Sequence, residues 1–196
     1  MRRYETAVGH YRSALALMRE TGFRSGEAGV LTNLGNTFRR MGRLPESIDC
    51  QERSLETCRA IGDRAGEGIA LANLGELYRD AGLLADSVTA QEQALAMFHQ
   101  WGERRLEGSV LDGLARTYLA LGDSEQALAY GSQALVCRRG SGDRSGEAET
   151  LDCLGDIQLR GGRPESAGAY WRQALVIAEE LGAPAAEEIR ARLASL

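Results

Sequence analysis

The sequence predicts an all-α fold, a solenoid of antiparallel helix pairs with about ten helices, and three observations carry that prediction. A forty-residue period runs along the chain: Leu34, Leu74, Leu114 and Leu154 align, with Gly35, Gly75, Ala115 and Gly155 beside them. Between breaks, apolar residues recur at the spacing of one buried helix face. Glycines mark both breaks of the period: Gly42, Gly82, Gly122 and Gly162 at one, and Gly22, Gly62, Gly102, Gly142 and Gly182 at the other.

The first element, residues 4–22, places Tyr4, Val8, Tyr11, Leu15 and Met18 on one face. It reads as the second helix of a pair, helix B, without the helix A that should cover it. Either the chain belongs to a longer protein, the reading preferred here, or Tyr4, Val8, Tyr11 and Leu15 pair with a second copy in a homo-oligomer. Four full repeats follow, at 26–62, 66–102, 106–142 and 146–182. Val30, Leu31, Leu34, Phe38 and Met41 form the buried face of the first helix A, and Leu71, Leu74, Tyr78 and Ala81 that of the second. Ile48, Leu55 and Cys58, then Val88, Leu95 and Phe98, then Leu128 and Leu135 give each helix B its stripe. The last element, 184–196, carries Glu187, Glu188, Arg190 and Arg192 and suits a polar cap on the stack.

The punctuation follows from backbone chemistry. Gly42 and its equivalents stand where a helix ends in a left-handed residue that only glycine adopts cheaply. Pro45 and Pro164 fall in the first turn of helix B, where no amide hydrogen is needed. Asp63 and Asp143, in the recurring Gly-Asp-Arg, are placed to cap the next helix A. Glu27, Glu67, Glu107, Glu147 and Glu187 then favour the positive end of that helix. Gly35 and Gly75 lie inside a helix, where glycine costs about 1 kcal/mol relative to alanine. Their use is expected to be close approach of helix B, with Ser54, Ala94, Ala134 and Ala174 as the small residues facing them.

Composition excludes several functions. With 43% hydrophobic and 26% charged residues the chain has the balance of a folded soluble protein. A net charge of -5 argues against a phosphate-backbone footprint, so no nucleic-acid partner is expected for this segment. Every one of the 23 basic residues is arginine, which removes the phosphate-loop lysine and lysine-based catalysis. No apolar run approaches the roughly 18 residues of a membrane span, and the start lacks a signal-peptide core. A cytoplasmic protein without membrane association is expected. Cys50, Cys58, Cys137 and Cys153 form no CxxC pair and read as small buried residues. His10 and His99 lie on separate repeats without metal-ligand spacing, so neither metal nor cofactor is expected. The stretch GSGDRSGE, 140–147, fits neither a phosphate loop nor a nucleophile motif, and its turn recurs as IGDRAGE. No set of nucleophile, base and orienting residue is present, so the chain is not expected to be an enzyme.

Leu71, Leu74, Gly75, Tyr78, Ser87, Gln91 and Ala94, and again Leu151, Leu154, Gly155, Gln158, Ala167, Trp171 and Ala174, resemble the signature of the tetratricopeptide repeat (TPR) family. Leu stands where that family usually has Trp, Gln158 replaces an aromatic, and the period is forty rather than thirty-four. Forty-residue versions with Gly-Asp-Arg between repeats are similar to kinesin light chains and Pins-type spindle adaptors. They also resemble the helical C-terminal regions of bacterial transcription regulators and NB-ARC-type ATPases. The all-arginine composition makes the bacterial group the nearer likeness. The resemblance implies a right-handed superhelix used as a scaffold for protein or peptide partners.

In such a stack helix A lines the concave wall, and residues beside the buried Leu-Gly pair face the groove. The candidate site is therefore Asn33, Asn36, Arg39 and Arg40; Asn73, Glu76 and Arg79; Asp112 and Arg116; Asp152, Asp156 and Arg160. Asparagine both donates and accepts, so it can clamp a peptide backbone, and arginine adds bidentate capture of carboxylates. In peptide-binding relatives, Asn at the places of Asn33, Asn36 and Asn73 commonly holds the ligand backbone. With more Arg early and more Asp late, the groove suits a ligand of mixed charge. The expected function is a peptide- or protein-binding module of a larger bacterial regulator. The alternatives are a ligand-sensing domain of the quorum-signal type and a self-association module.

Overall fold

A computed structural model describes residues 2–196, in ten α-helices among the described residues. They are α1 (Arg2–Glu20), α2 (Arg24–Arg40), α3 (Leu44–Ile61), α4 (Arg64–Asp80), α5 (Leu84–Trp101), α6 (Arg104–Leu121), α7 (Ser124–Gly140), α8 (Arg144–Arg160), α9 (Pro164–Glu180) and α10 (Ala185–Ala194). Helices α2, α4, α6 and α8 are the A helices, and the odd-numbered ones the B helices. No described helix is long and apolar enough to cross a membrane.

The glycine punctuation is observed at every break. All nine break glycines have φ between 61° and 85°, the left-handed region that side chains with a Cβ avoid. The amide that follows each returns to the helix just ended, as Asp63 N–H does to the Cys58 carbonyl at 2.9 Å and Leu83 N–H to that of Tyr78 at 2.8 Å. Such a turn consumes few residues and reverses the chain, so successive helices lie antiparallel. Asp63 and Asp143 cap α4 and α8 as expected, accepting from Gly66 N at 2.9 Å and Gly146 N at 3.0 Å. Asp123 does the same for α7. Pro45 and Pro164 sit in the first turns of α3 and α9.

The leucine period marks the core. Leu31, Leu34, Leu74, Leu114, Leu151 and Leu154 are buried, each burial contributing about 1.5–3 kcal/mol. The interior glycines do bring the helices close: Ser47 Oγ donates to the Gly35 carbonyl at 2.8 Å, and Ser87 Oγ to that of Gly75 at 2.7 Å. The facing residues, however, are not the expected Ser54 series. A Cβ on Gly35 would meet Gln51 Nε2 at 3.1 Å, one on Gly75 would meet Gln91 Cγ at 2.3 Å, and one on Gly155 would meet Trp171 Nε1 at 2.2 Å. Where helix A has Ala115 instead, the facing position is Gly131. Thus Gly faces a large residue, and Ala faces Gly. Ser54 lies a turn further along, donating to the Ala28 carbonyl at 3.0 Å.

The apolar face of α1 is not bare. Val8 clusters with Leu34, Phe38 and Cys50, with Tyr11 packed beside them, and Leu15 is buried too. Helix α2 supplies the cover, because a B helix between two A helices packs on both and needs only one to bury this stripe. Tyr4 alone of the four remains exposed. Three of the cysteines, Cys50, Cys58 and Cys153, are buried, Cys137 is half-buried, and all are free thiols.

Two compact units divide the chain, the first ending at Met97 and the second running Phe98–Leu196. In the first, α2 packs on α1, α3 and α4; in the second, α8 packs on α6, α7 and α9, and α10 on α9.

Candidate functional site

Each unit presents its own A-helix face. In the first, α2 and α4 lie side by side, and the residues flanking the buried Leu34-Gly35 and Leu74-Gly75 pairs emerge there. Asn33, Asn36 and Arg40 are exposed, while Asn73, Glu76, Arg79 and Arg39 are half-buried. Arg39 joins the two helices: its guanidinium donates to Glu76 and, at 2.8 Å and 3.1 Å, to Asp80 Oδ2. Burial opposes its charge, but the two carboxylates outweigh burial and raise its pKa. Arg79 donates to the other Asp80 oxygen at 3.0 Å. Asn36 Oδ1 accepts from Gln51 Nε2 at 3.3 Å, which holds the Asn36 side chain against the helix pair. The amides of Asn33 and Asn73, forty residues apart on neighbouring A helices, have no hydrogen-bond partner among the described residues.

The second unit's face is acidic and more internally paired. Asp112 is only 8% exposed, against the expectation that it faces open space. It shares its helix position with Thr32 and Asp152 rather than with Asn33, and that phase turns it inward toward α8. Arg116 Nε donates to Asp112 at 2.8 Å and its Nη2 to the Glu149 carbonyl at 3.1 Å. Arg192 of α10 reaches Asp152 at 3.0 Å and Asp156 at 2.9 Å. Burial raises the Asp152 pKa, with Arg192 pulling the other way. Arg160 reaches the Leu119 carbonyl at 3.5 Å. Glu149 is exposed as a residue, yet burial around its carboxyl and the nearby Asp112 raise its pKa.

The structure therefore gathers the twelve expected residues into two sets, Asn33 to Arg79 in the first unit and Asp112 to Arg160 in the second. Asp80, Glu149 and Arg192 belong with them and are absent from the sequence-derived set. Forty-residue alignment could have flagged Arg192, which falls on the positions of Asp112 and Asp152. No group of three or more His, Cys, Asp or Glu side chains among the described residues is arranged to hold a metal ion.

Comparison with known proteins bears on the family. A tetratricopeptide repeat model matches residues 1–60, 26–100 and 68–140, so that its matches run over 1–140. None of the curated proteins compared matches the chain by sequence. Among solved structures, BtubC (BKLC) from P. vanneervenii is 20% identical at a TM-score of 0.75, over 89% of this chain and 75% of that one. A putative kinesin light chain with nearly identical TPR-like repeats from Podosopora anserina is 16% identical at 0.75, over 91% and 88%. Aspartyl phosphate phosphatase F from Bacillus subtilis is 13% identical at 0.84, over 96% of this chain but 52% of its own length. At these identities the likeness is one of fold.

Proposed function

Because the chain belongs to the tetratricopeptide repeat family, we propose that it is a non-enzymatic interaction module that holds a peptide or partner protein against its A-helix faces. The observation that carries this reading is the pair Asn33 and Asn73. Their amides stand free at equivalent places on adjacent helices, while Arg39, Glu76 and Asp80 lock those helices together beside them. A free amide offers one acceptor and two donors, which matches the repeating groups of a peptide backbone. The fixed helices spare the ligand the entropy of organising its site. Arg40 and Arg79 add capture of an acidic side chain in the first unit.

The family's helical repeats recur in bacterial regulators, and the forty-residue period with Gly-Asp-Arg turns supports placing this module in a larger protein of that kind. Peptides selected from a displayed library against the wild-type chain test the site. Their affinity for an Asn33→Ala, Asn36→Ala, Asn73→Ala triple variant is expected to fall by about tenfold or more, since about 1.4 kcal/mol, one or two lost hydrogen bonds, suffices. Equal affinity in a variant that melts like wild type would remove these residues from the site.

A further inference from the structure

One position of the repeat breaks its own rule. One position in the last turn of the B helices recurs every forty residues, and Met18, Cys58, Phe98 and Ala178 make it apolar. Met18 and Cys58 each lie against a glycine, with 2.5 Å and 2.6 Å between their sulfurs and the Cβ that Gly26 or Gly66 lacks. In α7 the position is Arg138. It is 7% exposed, and its guanidinium lies flat on Gly146, whose missing Cβ would fall 2.5 Å from Cζ, Nε and Nη1.

The fold does not require this arginine. Asp143, to which Arg138 Nη1 donates, caps α8 through Gly146 N, and Asp63 makes the same cap on Gly66 N with only Cys58 behind it. Arg138 Nε is buried without a hydrogen-bond partner. Its guanidinium is thus partnered within the chain on one edge only, by Asp143.

At this point the surface opens into a cleft of about 290 Å³, into which Arg138, Arg105, Ser109, Ser145 and Glu149 face. The hydroxyls of Ser109 and Ser145 have no hydrogen-bond partner among the described residues. Ser145 also belongs to the first turn of α8, whose positive end favours an anion. Two guanidinium groups, two hydroxyls and a helix start thus converge on one small space. Asp143 and Glu149 formally offset the two arginines, so an anion here would be held by converging hydrogen-bond donors and the helix start rather than by net charge.

We propose that this cleft is a carboxylate-binding site, distinct from the α2 and α4 face that carries Asn33 and Asn73, that takes an acidic side chain of a partner or a small free carboxylic acid. Arg138 and Arg105 supply guanidinium donors, and Ser109 and Ser145 hydroxyl donors.

Nitrogen-15 NMR titration of the full chain tests it with three probes: a short capped peptide of alternating Asp and Gly, succinate, and inorganic phosphate. Saturable shifts of the Arg138 Nε–Hε and of the Ser145 and Gly146 amides are expected with a carboxylate probe. Response to the peptide alone assigns the site to a partner's side chain; response to succinate as well assigns it to carboxylates in general. Arg138→Met, which restores the residue found at Met18, should weaken binding by about tenfold. Arg105→Gln and Ser145→Ala, which leave the buried position intact, should each weaken it about threefold. The proposal is overturned by no saturable shift with either carboxylate, by response to phosphate alone, or by undiminished binding in Arg105→Gln and Ser145→Ala. Because none of these residues lies on the α2 or α4 face, the Asn33 and Asn73 reading stands or falls separately.

Discussion

Arg139, in the last turn of α7, donates its Nε to Glu147 in the first turn of α8 at 2.8 Å. The same contact spans the other B-to-A turns as Arg59 to Glu67 at 2.9 Å and Arg19 to Glu27 at 2.7 Å, and His99 takes the arginine's place against Glu107 at 2.9 Å. At the fifth turn the cation is replaced by Glu179, and Arg190 of α10 bridges it to Glu187. The recurring glutamate is thus a strap across the turn as well as a charge at a helix start. In the first four turns the glutamate is the buried end and the cation the solvated one, while at the fifth both ends are solvated, where an ion pair adds little stability.

The strap makes a pH prediction. Glu27, 4% exposed, has its pKa lowered by the hydrogen bond from Arg19, against burial, with Arg24 adding to the effect. A lowered folded value means stability that is fully present above the unfolded glutamate pKa of about 4.3 and is lost as pH falls through the folded value. Glu27→Gln is expected to cost about 1–2 kcal/mol at neutral pH. Its melting temperature should also fall less than that of wild type on acidification below about pH 4.3. Thermal melts across that range check both.

The size exchange between facing helices makes another. Gly155→Ala would set a methyl against the rigid Trp171 ring, whose Nε1 is held by the Asp152 carbonyl at 3.2 Å. Overpacking of about 1–3 kcal/mol should exceed the roughly 1 kcal/mol that alanine contributes in a helix interior. In a Trp171→Ala background the same change should become neutral or stabilising, and chemical denaturation of the four proteins measures that coupling.

Burial of the leucines predicts large losses on truncation. Leu74→Ala should cost about 2–5 kcal/mol, and Leu15→Ala, at the covered face of α1, a loss in the same range. Sedimentation of Leu15→Ala at unchanged mass, with lowered stability, is expected from a side chain buried against α2.

Much of this was legible in the residues. The period, the nine positive-φ glycines, the two aspartate caps and the buried Leu34, Leu74 and Leu154 all follow from spacing and from what glycine and aspartate do at helix ends. What faces Gly35 did not follow, because it depends on how α3 crosses α2, and a register of one turn separates Gln51 from Ser54. The polar residues that leave the core of the A helices were legible as a list but not in their pairing: a helix's phase says which residues leave the core, whereas Arg39 finding Asp80 and Arg192 finding Asp156 depend on the distance to the neighbouring helix. Asp112 was misplaced for a related reason, since its phase matches Thr32 and not Asn33. Arg138 was visible as a departure among Met18, Cys58, Phe98 and Ala178, but its burial and its cleft needed the packed turn.

The most direct measurement is photo-crosslinking of a selected peptide to chains carrying a photoreactive amino acid at position 73 on α4 or, in a separate variant, at exposed position 56 on α3. If the A-helix face of the first unit holds the ligand, the Asn73 variant crosslinks and the Glu56 variant does not. Crosslinking from position 56 with none from position 73 would contradict it.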